Sequence, residues 1–91
     1  MPTYLVDRDL PGITRDQLAA AHRAATETAR RFTAEGTPIR YIRSLFLPQE
    51  ARCLCLFEAV DAESVRCLND TAQIPFTSIS EALELNPPNL K

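Results

Sequence analysis

Four side chains in this sequence have the chemistry of soft metal ligands or nucleophiles: Cys53, Cys55, Cys67 and His22. Thiolate sulfur and neutral imidazole both suit late transition metals. One residue separates Cys53 from Cys55, so on an extended strand both point to one face with Cβ atoms roughly 6 to 7 Å apart. That is a wide start for a shared tetrahedral ion, and two small buried apolar side chains satisfy the same pattern. His22 has Leu18 and Thr26 at helical spacing, not a second histidine or an acid, so it forms no chelating pair. Cys67 reads as a surface thiol on a helix. A second set is Tyr41, Arg43 and Glu58. A guanidinium holds a carboxylate or phosphate in a forked hydrogen bond, with Tyr41 as a second donor, or else Arg43 and Glu58 pair with each other across a hairpin. No serine sits in a nucleophile elbow, and two glycines build neither a phosphate cradle nor a dinucleotide fingerprint.

The elements that must position these groups follow from periodicity. Arg52 to Ala59 is an apolar run bracketed by charge and too short for a packed helix, so it reads as a central strand. Cys53, Cys55, Phe57 and Ala59 form one face, and Arg52, Leu54, Leu56 and Glu58 the other. Leu54 and Leu56 leave the second face apolar in the middle, and a second subunit is its expected cover. Before this run, Tyr4-Leu5-Val6 is a first strand, ended by Asp7-Arg8-Asp9-Leu10-Pro11-Gly12. Thr14 and Gln17 make a capping box for a first helix with the stripe Leu18, Ala21, Ala25, Ala29 and Phe32, closed by Gly36. Ile39 to Leu47 is the second strand, joined to the central one through Pro48-Gln49-Glu50-Ala51. An uninterrupted register from Leu47 opposite Arg52 places Leu45 opposite Leu54, Arg43 opposite Leu56 and Tyr41 opposite Glu58. Tyr41, Arg43, Leu45 and Leu47 then share the open face, and Ile42, Ser44 and Phe46 lie under the helices. Asp61 caps a second helix with Val65, Leu68 and Ala72 inside, stopped by Ile74-Pro75. Thr77 to Leu85 is the last strand, and the tail Asn86-Pro87-Pro88-Asn89 cannot continue a ladder.

The order β-α-β-β-α-β is the split βαβ of the ferredoxin-like α+β class, a four-stranded antiparallel sheet with two helices on one face. The 91 residues suffice for one domain, 1-91. Net charge is −2, with ten basic residues scattered among twelve acidic ones, so no positive strip suggests nucleic acid. No stretch approaches the roughly 20 apolar residues of a membrane span, and the amino terminus opens a strand, not a signal peptide. The cytoplasm is the expected compartment. Three cysteines in a Cys-x-Cys plus one arrangement form no disulfide framework and read as reduced thiols.

The stretch Tyr4 to Gly12, with Ser44, Cys55, Ala59, Ala72, Pro75, Ile79, Ser80 and Glu81, resembles a family of small bacterial dimeric ferredoxin-like proteins whose characterised branch is nickel-binding. The resemblance covers nearly the whole chain and implies a homodimer with α/β-barrel-type packing and nickel as the ligand. The hairpin connection is about two residues longer here than in the family pattern. Where the family carries histidine before Ser44 this chain has Arg43, and where its second helix carries Glu-His this chain has Cys67-Leu68. An arginine cannot shed its proton to donate a lone pair, so weak or no nickel binding is expected, with a small anion at Arg43 as the other candidate ligand.

Three functions are compatible with these features. The first is a non-enzymatic homodimeric binding protein with a site at the sheet face or subunit junction. The second is a cofactor-independent enzyme of the dimeric α+β barrel type with the open face as its pocket, and the third is a structural or regulatory dimer.

Overall fold

The computed structural model describes residues 1–85. Six elements follow in the order β1 (Thr3–Asp9), α1 (Arg15–Ala34), β2 (Ile39–Leu47), β3 (Arg52–Ala59), α2 (Ala62–Ala72) and β4 (Ser78–Ala82). The sheet order is β2-β3-β1-β4 with every neighbouring pair antiparallel. This is the expected ferredoxin-like α+β arrangement. At 20 Å, its shortest extent matches one sheet plus one layer of helices.

β1 runs further than its apolar residues suggest. Asp7, Arg8 and Asp9 stay in the ladder opposite Leu54, Cys53 and Arg52. β1 lies between β3 and β4, so extending it satisfies backbone groups on both sides, and Asp7 and Arg8 find side-chain partners on β3. β4 is shorter than expected because only Ser78 to Ala82 have β1 residues opposite them. Leu83 and Leu85 lie beyond it and are exposed. The Asn86 to Asn89 tail lies outside the described residues.

The register of β2 contains a bulge. From Leu47 to Arg43 the pairing is as expected, with Leu45 opposite Leu54 and Arg43 opposite Leu56. Ile42 is then skipped, so Tyr41 pairs with Phe57, Arg40 with Glu58 and Ile39 with Ala59. One extra residue reverses the facing of everything before it. Tyr41 therefore lies on the helix side, not on the open face with Arg43, and Ile42 is an unpaired bulge residue rather than a core position. The gain is in the core: Ile39 becomes buried, and the Tyr41 ring packs 5.3 Å from Phe57 and 5.7 Å from His22.

The helices start and stop where the sequence signals them. Thr14 and Gln17 form both halves of the capping box, and Gly36 follows the C-cap Glu35 with φ +101°. Asp61 accepts from the Ser64 amide at the start of α2, and Gln73 ends it in the left-handed region. Ala25 and Ala29 of α1 and Val65 and Leu68 of α2 close on Val6, Cys53, Cys55, Phe57 and Ala59 of the sheet. Each large apolar side chain buried there contributes about 1.5–3 kcal/mol.

Candidate functional site

The most unusual side chain in the core is Arg8. It follows Tyr4 and Val6 on the inward face of β1 and is only 2% exposed. Its Nη1 donates to the Pro75 carbonyl at 3.2 Å and to the Ile74 carbonyl at 3.5 Å, and its Nε donates to Cys55 Sγ at 3.3 Å. The segment that supplies those carbonyls is held to β1 by the Thr77 amide, which donates to the Asp7 carbonyl at 2.7 Å. Among the described residues no carboxylate forms an ion pair with Arg8, and the neighbouring Asp7 is engaged by Arg52. A buried guanidinium without a carboxylate calls for a different negative group.

Cys55 is the polar group placed against it. Its sulfur also accepts from Ser44 Oγ at 2.9 Å, and Ser44 in turn shares a hydrogen bond with the Tyr41 hydroxyl. Cys53 Sγ lies 3.7 Å from Cys55 Sγ. Burial, followed by the adjacent Cys55, pushes the Cys53 thiol up to about 11. Burial likewise raises Tyr41. Arg8, Tyr41, Ser44, Cys53 and Cys55 thus form one buried polar cluster across β1, β3 and β2, and the bulge at Ile42 is what brings Tyr41 into it.

Of the residues singled out from the sequence, the cluster contains Cys53, Cys55 and Tyr41. His22 lies against Tyr41 with its ring tilted, and among the described residues its buried Nε2 has no hydrogen-bond partner. Cys67 is exposed on α2, where desolvation and the Glu63 carboxylate that accepts from it raise its thiol. Arg43 pairs with Glu84, and Glu58 pairs with Arg40 at 3.0 Å. Tyr41, Arg43 and Glu58 therefore do not meet on one face. Among the described residues no group of three or more His, Cys, Asp and Glu side chains is disposed to hold a metal ion. Arg8 and Ser44 are the members the sequence reasoning missed as site residues. The signal for Arg8 was the alternation Tyr4, Val6, Arg8 continuing unbroken up to Leu10-Pro11.

The opposite face of the sheet carries Leu5, Leu54 and Leu56, joined by Leu45 and Leu47 of β2. Leu45 is 64% exposed. The rim is charged and paired: Arg52 forks onto both carboxylate oxygens of Asp7 at 3.0 and 2.7 Å, Arg40 holds Glu58 and Arg43 holds Glu84. On the helix side, a mostly apolar groove of about 770 Å³ runs between α1 and β2, lined by Ala29, Thr33, Ile39 and Tyr41. A smaller cleft of about 380 Å³ lies where Leu18 and His22 of α1 meet Phe46. No helix is long and apolar enough to cross a membrane among the described residues.

Comparison with known proteins gives two matches. A family model described as "Nickel responsive protein SCO4226-like" matches residues 4–82. The crystal structure of SCO4226 from Streptomyces coelicolor A3(2) superposes with a TM-score of 0.78 at 22% identity, covering 92% of this chain and 99% of that one. At that identity the structural match establishes the fold. No curated protein matches the chain. With most of its length inside the family match, the chain belongs to the SCO4226-like family of nickel-responsive proteins.

Proposed function

We propose that this chain is a non-enzymatic, homodimeric ligand-binding protein of the nickel-responsive family, acting in the cytoplasm. The observation that carries the dimer is the leucine face of the sheet. Leu5, Leu45, Leu54 and Leu56 are contiguous there, and the charges around them are already paired within the chain. A second copy of the same face covers such a patch without stranding a charge, and two-fold self-complementarity is the common solution. Glu84 holds Arg43, Arg40 holds Glu58 and Arg52 holds Asp7, which favours an interface over a catalytic pocket. Light scattering on the eluting protein tests this: the wild type runs as a dimer, and Leu56→Asp gives monomers or aggregate. A wild-type monomer at micromolar concentration overturns the homodimer.

Nickel is the ligand implied by the family, and the residues present do not fit it. Divalent nickel takes four or more nitrogen, oxygen or sulfur donors. Among the described residues the donors that converge are two sulfurs, with a permanent guanidinium 3.3 Å from one of them. His22 and Cys67 do not join them, and Arg43 stands where the resemblance implies a histidine. The ligand-responsive position of this family member is therefore assigned to the buried Arg8–Cys55 cluster, with a ligand other than nickel.

A further inference from the structure

We infer that Cys53 and Cys55 form a two-coordinate site for a soft monovalent d10 cation, Cu(I), with Arg8 as the built-in counter-charge. The inference rests on the reading of the chain as a ligand-binding protein and specifies the ligand class.

Geometry separates the three things a pair of neighbouring cysteines can do. A disulfide needs sulfurs about 2.05 Å apart and Cβ atoms about 3.8 Å apart. Cys53 and Cys55 alternate with Leu54 on a regular strand paired on both sides, which keeps their Cβ atoms well beyond that. A tetrahedral or square-planar divalent ion needs two further donors, and none converges among the described residues. A linear two-coordinate ion needs only two sulfurs, and two metal–sulfur bonds at the zinc–thiolate length of about 2.3 Å, laid end to end, set an upper span of ~4.6 Å. The sulfurs stand 3.7 Å apart. Side-chain rotations on an intact strand supply the difference.

Charge selects the oxidation state. Two thiolates and one monovalent cation carry a net charge of −1, and Arg8, buried and paired with no carboxylate among the described residues, carries +1. The sum is zero in a dry site, where uncompensated charge is costly. A divalent ion in the same place neutralises the two thiolates, so the +1 of Arg8 stays uncompensated and coordination positions stay unfilled. Thiolates are also the ligands that select Cu(I). Around the sulfurs, Ser44 and Arg8 already donate to Cys55, and Tyr41 orients Ser44, the kind of outer hydrogen bonding that holds metal ligands in place. Binding exchanges two thiol protons for one Cu(I), with no change of oxidation state. Phe46, the ladder partner of Cys53, lines the cleft beside α1.

The test is anaerobic titration of the reduced full-length chain with Cu(I) held by bicinchoninate, whose colour reports metal withdrawn from it. One Cu(I) per chain is expected to transfer, with two sulfur neighbours by X-ray absorption. Cys53→Ser and Cys55→Ser should each abolish transfer, and Cys67→Ser should leave it unchanged. Ser44→Ala and Arg8→Met should weaken it roughly 10- to 100-fold. Cys53→Ala and Cys55→Ala, checked by circular dichroism, replace any serine variant that does not fold. Failure of the wild type to withdraw Cu(I), or withdrawal that survives loss of Cys53 or depends on Cys67, overturns the site. Light scattering on the same samples keeps the two readings apart. A dimer that takes no Cu(I) overturns the copper site alone, and a monomer that takes it overturns the dimer and keeps the site.

Discussion

Arg8 Nε lies 3.3 Å from Cys55 Sγ, a contact between adjacent strands made inside the core and not at its edge. It converts a pair of cysteines that sequence alone cannot distinguish from ordinary packing into a polar centre with a fixed positive charge. Everything proposed about ligands follows from that charge.

Arg8→Met keeps the length and apolar stem of the side chain but leaves the Ile74 and Pro75 carbonyls without their donor. The loss should be about 1–3 kcal/mol of stability, measured by urea unfolding of the metal-free protein. A more stable variant would show that the guanidinium is an uncompensated cost in the fold, without a partner in Cys55.

The bulge is a second point of leverage. Removing Ile42 takes out the extra residue, so Tyr41 stays opposite Phe57 and Ile39 opposite Ala59 in an unbroken alternation. With both side chains kept in the core, the deletion should cost about 0.5–3 kcal/mol and the variant should still melt cooperatively. Tyr41→Phe, which removes only the hydroxyl bonded to Ser44, should cost about 1 kcal/mol. Loss of cooperative melting in the deletion variant would contradict the assigned register.

The acid limb of stability should depend on Asp7 and Asp61. The Arg52 guanidinium hydrogen-bonded to Asp7 holds its carboxyl below the usual carboxylate range, and the Ser64 amide does the same for Asp61 at the start of α2. A carboxyl that titrates lower when folded stabilises the fold above its unfolded pKa and loses that contribution as pH falls through the folded value. Unfolding followed from pH 6 to pH 2 should therefore show stability falling below about pH 4. Asp7→Asn should flatten that fall, and an unchanged slope would remove the Asp7–Arg52 pair from the account.

Sequence periodicity was sufficient for the element order, both helix caps, the two-faced β3 strand and the register near the hairpin, because each depends on local alternation or a local capping group. The bulge was not legible. Ile39-Arg40-Tyr41-Ile42-Arg43 alternates imperfectly, and only the aromatic company of Phe57 and His22 decides which side Tyr41 takes. That single residue separated Tyr41 from Arg43 and Glu58. Arg8 was missed because a charged triplet before Pro-Gly resembles a turn. Its burial depends on carbonyls of Ile74 and Pro75, far along the chain.

The most direct test of the central claim, a family member whose buried centre is built around Arg8 and Cys55 and does not hold nickel, is calorimetric titration of the reduced, metal-free protein with Ni(II) at neutral pH. The expected result is weak or no heat of binding, unchanged in Cys55→Ser. Tight binding at one nickel per subunit or per dimer, abolished by Cys55→Ser, would contradict it.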